Sequence, residues 1–87
     1  SLFEISELNL YPNPASTSAT LQFEGYNEGK AQLMVYDLIG QQLLENDLSV
    51  ATGNNQYVLD LSSLPKGVYN VEVTYDGLKR NTKLVVQ

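Results

Sequence analysis

Cysteine and histidine are both absent from this 87-residue chain. Without cysteine, no disulfide braces the domain, and no thiolate serves as a nucleophile or as a soft metal ligand. The absence of histidine also excludes a Ser-His-Asp or Cys-His catalytic site and a zinc site of the usual nitrogen and sulfur ligands. No EF-hand spacing and no glycine-rich phosphate loop occurs either. We therefore expect no cofactor and no catalytic activity.

Long apolar runs are also missing. No stretch approaches the ~20 apolar residues of a membrane span, and residues 1–10 lack the basic start and apolar centre of a signal peptide. A secreted origin therefore requires that this sequence belong to a longer chain. The length suffices for one domain with one core. We expect residues 1–7 to be a linker remnant and residues 8–87 to form that single domain.

Basic residues are few and unevenly distributed, and the formal net charge is −5. Residues 1–60 hold eight acids and one lysine (net −7), whereas residues 61–87 hold two acids and four bases (net +2). The acidic majority argues against nucleic-acid binding, which needs a basic surface. The basic part could steer a partner, or its charges could simply protect an edge strand against unwanted pairing.

Apolar and polar residues alternate in seven short segments, with turn residues between them and no convincing helical period. The segments cover residues 8–10, 19–25, 31–38, 41–50, 56–61, 69–75 and 78–87. This pattern predicts an all-β antiparallel sandwich, with a small open barrel as the alternative. Residues 31–38 are the most apolar, so we expect a central strand buried on much of both faces, including Leu38. Leu43 and Leu44 break the alternation that follows, which predicts a bulge or an edge position.

Residues 61–87 contain the clearest local pattern, a turn followed by a β-hairpin. Residues 63–67 favour the turn. The apolar residues that then alternate with polar ones are Tyr69, Val71, Val73 and Tyr75. Asp76 and Gly77 follow them and favour a type I′ hairpin turn, since that geometry needs positive φ, which glycine adopts at little cost.

Aspartates and tyrosines are the remaining side chains that could carry chemistry. Asp37, Asp60 and Asp76 lie at strand ends or turns, so we interpret them as caps of backbone amides rather than as general acids or bases. Four tyrosines are in phase with apolar positions and are expected to pack in the core or at its margin. Tyr11 and Tyr26 fall in turns, where they could line a sugar-binding face. A carbohydrate-binding or adhesive module is therefore an alternative function.

Several motifs follow one another along the chain. They are Tyr11-Pro12-Asn13-Pro14, Val35-Tyr36-Asp37-Leu38-Ile39-Gly40-Gln41, Leu61-Ser62-Ser63-Leu64-Pro65-Lys66-Gly67-Val68-Tyr69-Asn70-Val71 and Lys83-Leu84-Val85-Val86-Gln87. Taken together, and over roughly residues 8–87, they resemble the C-terminal sorting domain of cargo proteins of the type IX (Por) secretion system of Bacteroidetes.

This resemblance implies a seven-stranded, immunoglobulin-like antiparallel β-sandwich attached to an upstream cargo domain. It implies a non-catalytic secretion signal that directs the cargo through the periplasm and across the outer membrane, to the cell surface or the medium. The partners it implies are the outer-membrane type IX translocon and a sortase-like cysteine peptidase that removes the domain. By this analogy the domain is the substrate, and it does not insert into the membrane itself.

The resemblance also assigns roles to individual residues. Recognition by the translocon maps onto Leu64, Pro65, Lys66, Gly67, Tyr69, Val71, Lys83, Leu84, Val85 and Val86. Tyr11, Pro12, Asn13 and Pro14, here called the opening motif, mark the start of the domain, near which the processing site lies. Some family members carry a lysine close to the last residue, whereas the nearest lysine here is Lys83.

The same stretches have a purely structural interpretation. Pro65 and Gly67 suit a rigid turn, and Leu84 and Val86 suit the inward face of a closing strand, as in a mere structural spacer. A preset turn beside an exposed edge strand would nevertheless suit a binding partner, because little entropy is lost and main-chain pairing by strand addition is available.

Overall fold

The structure, a computed structural model, describes residues 5–75 and 77–87. Seven β-strands account for most of them, and no helix occurs among these residues. The strands are β1 (Asn9–Tyr11), β2 (Ser18–Gly25), β3 (Gly29–Tyr36), β4 (Gln42–Val50), β5 (Gly53–Asp60), β6 (Gly67–Tyr75) and β7 (Leu78–Val86).

The strands form two antiparallel sheets. One has three strands in the order β1-β2-β5, and the other has four in the order β4-β3-β6-β7. The inward side chains of both sheets share one core, as in immunoglobulin-like sandwiches. The prediction of an all-β sandwich is therefore confirmed over the alternative of an open barrel.

The core follows the two-residue period of the strands. Phe23, Leu21, Leu33, Leu61 and Leu84 are among the largest fully buried side chains. The four alternating residues of β6, Tyr69, Val71, Val73 and Tyr75, are all buried, as predicted. Successive side chains of a strand point to opposite faces, so the residues between them face solvent on the four-stranded sheet.

Strand β3 lies in the interior of its sheet, between β4 and β6. Its inward residues Leu33 and Val35 are fully buried, and the outward Met34 and Tyr36 are half-buried. The prediction was wrong for Leu38, which is 77% exposed, because the strand ends at Tyr36. The strand ends there because the side chain of the next residue, Asp37, accepts hydrogen bonds from the backbone of the following turn.

Strand β4 combines both of the features predicted for it. It is an edge strand, and its register on β3 shifts between Val35, which pairs with Leu44, and Tyr36, which pairs with Gln42. Leu43 is therefore the extra residue of a bulge. This explains why Leu43 and Leu44 interrupt the alternation of the sequence.

Strand β5 begins earlier than predicted, at Gly53 rather than after a turn of residues 52–55. Asn54 and Asn55 pair with Glu24 and Phe23 of β2. The reason is that the Asn55 side chain is buried and holds the shorter turn: it accepts from Ala51 N–H at 2.9 Å and donates to the Ala51 carbonyl at 2.9 Å.

Two predictions lie at the limits of the described residues. Within the predicted linker, Ile5 is buried and bridges to Gly25, whereas residues 1–4 are outside the described part, so the boundary at residue 8 stays a prediction. In the predicted β6–β7 turn, Asp76 is outside the described residues. Gly77 has the positive φ that was predicted, 81°, and the flanking residues Tyr75 and Leu78 pair with each other.

Candidate recognition site

The two stretches predicted to be recognised by the translocon lie side by side in the β6–β7 hairpin. Gly67 pairs with Val86, Tyr69 with Leu84, and Asn70 with Lys83. The start of β6 and the end of β7 therefore form one end of the four-stranded sheet. Since Tyr36 pairs with Asn70, β3 also ends here. We call this the motif end of the sheet.

The turn that precedes β6 is held from both sides. Leu64 N–H donates to the Leu61 carbonyl at 2.9 Å, and Leu61 N–H donates to the Thr17 carbonyl at 2.8 Å. The Tyr69 hydroxyl, from within β6, donates to the carbonyl of Pro65. Leu64 is buried below the turn, whereas Pro65 and Lys66 are exposed at its tip. The turn is thus fixed in the folded domain before any partner binds.

The opening motif also reaches the motif end, through the side chain of Asn13. Its Nδ2 donates to the Lys83 carbonyl at 2.9 Å, and its Oδ1 accepts from Val85 N–H at 3.0 Å. The carboxamide uses one N–H donor and its oxygen acceptor here, as a peptide group would, so Asn13 takes the place of a neighbouring strand. Tyr11, Pro12, Asn13 and Pro14 are all exposed.

Ala15, which follows the opening motif, continues this pairing. Its N–H donates to the Val85 carbonyl at 2.8 Å, and its carbonyl accepts from Gln87 N–H at 2.8 Å. Asn13 and Ala15 together occupy the outer edge of β7 from Lys83 to Gln87. The expectation that this edge is open to strand addition is therefore wrong for these residues. Sequence reasoning missed Ala15, because a single alanine after a proline carries no local signal.

The motif of residues 35–41 contributes the β3–β4 turn. Asp37 Oδ1 accepts from Ile39 N–H at 3.1 Å and from Gln41 N–H at 2.8 Å, and Gly40 N–H donates to the Asp37 carbonyl at 3.1 Å. Gly40 has φ of 88°, a conformation that favours glycine. This cap, predicted from the sequence, presents Leu38 and Ile39 to solvent, 77% and 88% exposed.

Burial divides the predicted recognition residues into two groups. Leu64, Tyr69, Val71, Leu84 and Val86 are buried in the core. Pro65, Lys66 and Lys83 are exposed, and Gly67 and Val85 are intermediate. Only the second group is accessible to a partner of the folded domain, while the first group shapes the surface from below.

Asp60 confirms the interpretation of aspartates as caps. Its carboxylate accepts from the Ser62 hydroxyl at 2.7 Å and from Ser62 N–H at 3.0 Å. The hydrogen bond from the Ser62 hydroxyl, and to a smaller extent that from Ser62 N–H, lower the pKa of Asp60 below its ordinary value. Within the described part of the chain, no group of three or more acidic side chains is placed to hold a metal ion. No described helix is long and apolar enough to cross a membrane.

The fold and the site define a class: a small β-sandwich module whose sequence motifs meet at one end of one sheet. More specifically, the chain belongs to the family described as the secretion system C-terminal sorting domain, whose model matches residues 9–87. Among solved structures, the chain is similar to dimeric latent PorU from Porphyromonas gingivalis, with 20% sequence identity and a TM-score of 0.69. The match covers 92% of this chain and 9% of the PorU chain, and it shows the shared fold. No curated protein matches the chain.

Membership of this family establishes what the domain is for. It is a type IX C-terminal sorting signal domain, which implies a type IX secretion system and a cargo precursor. It also implies export, either to the cell surface or into the medium. No finding favours the alternative of a carbohydrate-binding or adhesive module.

Proposed function

We propose that the outer-membrane type IX translocon binds the motif end of the folded domain and thereby exports the attached cargo from the periplasm to the cell surface or the medium. The observation that carries this proposal is the convergence of the motifs. The hairpin of β6 and β7, the β3–β4 turn and the opening motif are distant in sequence but adjacent in the fold. The domain itself performs no catalysis.

The predicted recognition residues divide between two tasks. Pro65, Lys66, Gly67, Lys83 and Val85 contact the translocon, because they are at least partly accessible. Leu64, Tyr69, Val71, Leu84 and Val86 hold the turn and the hairpin in shape. Gly67, the first residue of β6, suits a close contact, since it adds no side chain between those of Lys66 and Val68.

We also propose that a sortase-like cysteine peptidase then removes the domain by cutting near the opening motif. Exposure of the residues from Tyr11 to Pro14 supports this assignment, since a peptidase must reach the chain from solvent. The similarity to PorU is compatible with such a peptidase acting in the same secretion system.

Site-specific photocrosslinking tests the proposal. Residues 1–87 are fused to a reporter with its own signal peptide in a type IX-competent bacterium, and a photoreactive residue replaces Lys66. We expect a crosslink to the translocon and a released fragment that begins near the opening motif, measured by mass spectrometry. The matched control is the same probe at Val58, which is 75% exposed on the other sheet. Equal crosslinking at both positions, or none at Lys66 in an exported fusion, would contradict the proposal.

A further inference from the structure

Apolar side chains form a strip on the solvent face of the four-stranded sheet at its motif end. Val68 and Val85 are direct cross-strand partners, and each alternates with a buried residue, Tyr69 or Leu84, so both point away from the core. Tyr36, in the neighbouring strand, is half-buried on the same outward face. These three side chains are not needed to fill the core.

The strip continues into the β3–β4 turn, which follows directly on Tyr36. Leu38 and Ile39 are the two most exposed large apolar residues described in the chain. The hydrogen bonds to Asp37 hold this turn, so the two side chains are presented from a fixed backbone. Grouped, exposed apolar residues on a rigid support are typical of an interaction site. We call Tyr36, Leu38, Ile39, Val68 and Val85 the apolar strip.

Other outward surfaces of the sandwich differ from the strip. Further along the same sheet, the register places Gln32, Thr74 and Lys79 in one outward row. On the three-stranded sheet, Val58 is exposed but pairs with Thr20, and its face carries the hydrogen-bonded amides of Gln22 and Asn54. The remaining exposed large apolar side chains described, Tyr11, Tyr26, Val58 and Leu78, lie singly on β1, after β2, on β5 and at the start of β7, whereas Leu38 and Ile39 are adjacent to each other and more exposed.

Two lysines border the strip. Lys66 is exposed at the turn before β6, and Lys83 is exposed on β7, two residues before Val85. Among the described residues, neither lysine forms an ion pair. The more distant Lys79 does, with its Nζ 3.5 Å from Oε1 of Glu72. Residues 1–60 carry a net charge of −7, so this border is the exception in an acidic chain. Its charge is complementary to carboxylates.

The edge of β7 limits how a partner can bind here. Asn13 and Ala15 already occupy the main-chain groups from Lys83 to Gln87. A partner that adds a strand would have to displace them, whereas the outward face is accessible without any rearrangement. Binding through side chains on the face is therefore the less costly mode.

We propose that the apolar strip is the surface on which a protein of the secretion machinery holds the folded domain. The partner is a folded protein with an apolar contact surface bordered by carboxylates, and it packs on the sheet face rather than extending the sheet. This inference rests on the proposed function, and it adds Tyr36, Leu38, Ile39 and Val68 to the residues that contact the partner.

The test uses a signal-peptide reporter fused to residues 1–87 in a type IX-competent bacterium. The variant Val68→Thr/Val85→Thr keeps side-chain size and β propensity but adds hydroxyls to the strip. Val58→Thr is the matched control on the other sheet. We expect about a tenfold or greater loss of surface reporter for the double variant and none for the control, with the melting temperatures of both fusions unchanged. If Val68→Thr/Val85→Thr has a lower melting temperature than the wild type, Leu38→Gln/Ile39→Gln replaces it, because both of these substitutions lie in an exposed turn.

The outcomes distinguish a failure of the proposed function from a failure of the apolar strip. If the wild-type fusion is not exported, the proposed function fails. If the wild type is exported and the strip variants are exported equally well, the proposed function stands and the apolar strip is overturned. The fusions are also mixed with vesicles of phosphatidylethanolamine and phosphatidylglycerol. Sedimentation of the wild type with vesicles, lost in the strip variants, would show that the strip binds lipid and would overturn the protein partner.

Discussion

Asn13 is the residue through which the opening motif and β7 are coupled. Its two hydrogen bonds join positions that are 70 and 72 residues apart in sequence. Each is made to main-chain groups at the edge of the sheet, which would otherwise bind water. The side chain therefore closes part of an edge strand, a task that other proteins assign to a further strand or a loop.

Replacing Asn13 with alanine should loosen this end of the sheet. Loss of two hydrogen bonds should lower the free energy of unfolding by about 1–2 kcal/mol and the melting temperature by about 4–8 °C per kcal/mol. Hydrogen exchange at Val85 N–H, which donates to Asn13, should accelerate. Asn46→Ala is the control, since Asn46 is exposed on β4 and makes no side-chain hydrogen bond to a described residue. Equal stability of the two variants would contradict this role.

Asp60 should contribute a dependence of stability on pH. Its folded-state pKa is lowered from 3.8 by the hydrogen bonds from Ser62. A carboxyl whose pKa is depressed on folding stabilises the folded state above its unfolded pKa, and this stabilisation is lost as the pH falls through the folded pKa. Acidification below 3.8 should therefore destabilise the wild type more than Ser62→Ala.

Nuclear magnetic resonance titration measures the same effect directly. The pKa of Asp60 should rise towards its ordinary value in Ser62→Ala, because the hydroxyl bond is the largest cause of the shift. Ser63→Ala, which changes the neighbouring exposed serine, should leave the Asp60 pKa as in the wild type. A rise in both variants would mean that the turn as a whole, rather than the Ser62 hydroxyl, sets the pKa.

At the scale of elements, alternation in the sequence predicts which side chains of a strand are buried, but it does not predict where strands end. Tyr69 and Val71 are buried as the two-residue period requires. Leu38 fits the same period and is exposed, because the Asp37 cap ends β3 first. Gly53 resembles a turn residue and starts β5, because the buried Asn55 side chain holds the shorter turn. Strand ends depend on such side-chain bonds.

Two glycines of the strands should differ strongly in how much alanine destabilises the fold. A Cβ on Gly25 would lie 2.5 Å from the Ala51 carbonyl oxygen and 2.8 Å from Val50 Cγ1, so Gly25→Ala should destabilise by about 3 kcal/mol or more. A Cβ on Gly67 meets nothing closer than 3.8 Å, so Gly67→Ala should change stability by less than about 0.5 kcal/mol. Chemical denaturation compares the two variants. Strong destabilisation by Gly67→Ala would show that this glycine serves the fold rather than a contact.

At the scale of the whole molecule, the sequence predicts the motifs, but it does not predict that they lie side by side at the motif end of the sheet. Each motif was visible as a turn or a strand. That Asn13 bonds to Val85, and that Val68 lies opposite Val85, follows only from the sheet order and the register. The sequence also could not separate accessible from buried positions within residues 64–71, because a partner and a core both favour apolar residues.

The central claim is that this chain is a type IX sorting signal, and export of a fused reporter tests it most directly. A reporter with its own signal peptide is joined to residues 1–87 and produced in a type IX-competent strain and in an isogenic strain that lacks the outer-membrane translocon. Accessibility of the reporter to added protease measures its surface location. We predict surface reporter in the competent strain and periplasmic reporter in the other. The same distribution in both strains would contradict the claim.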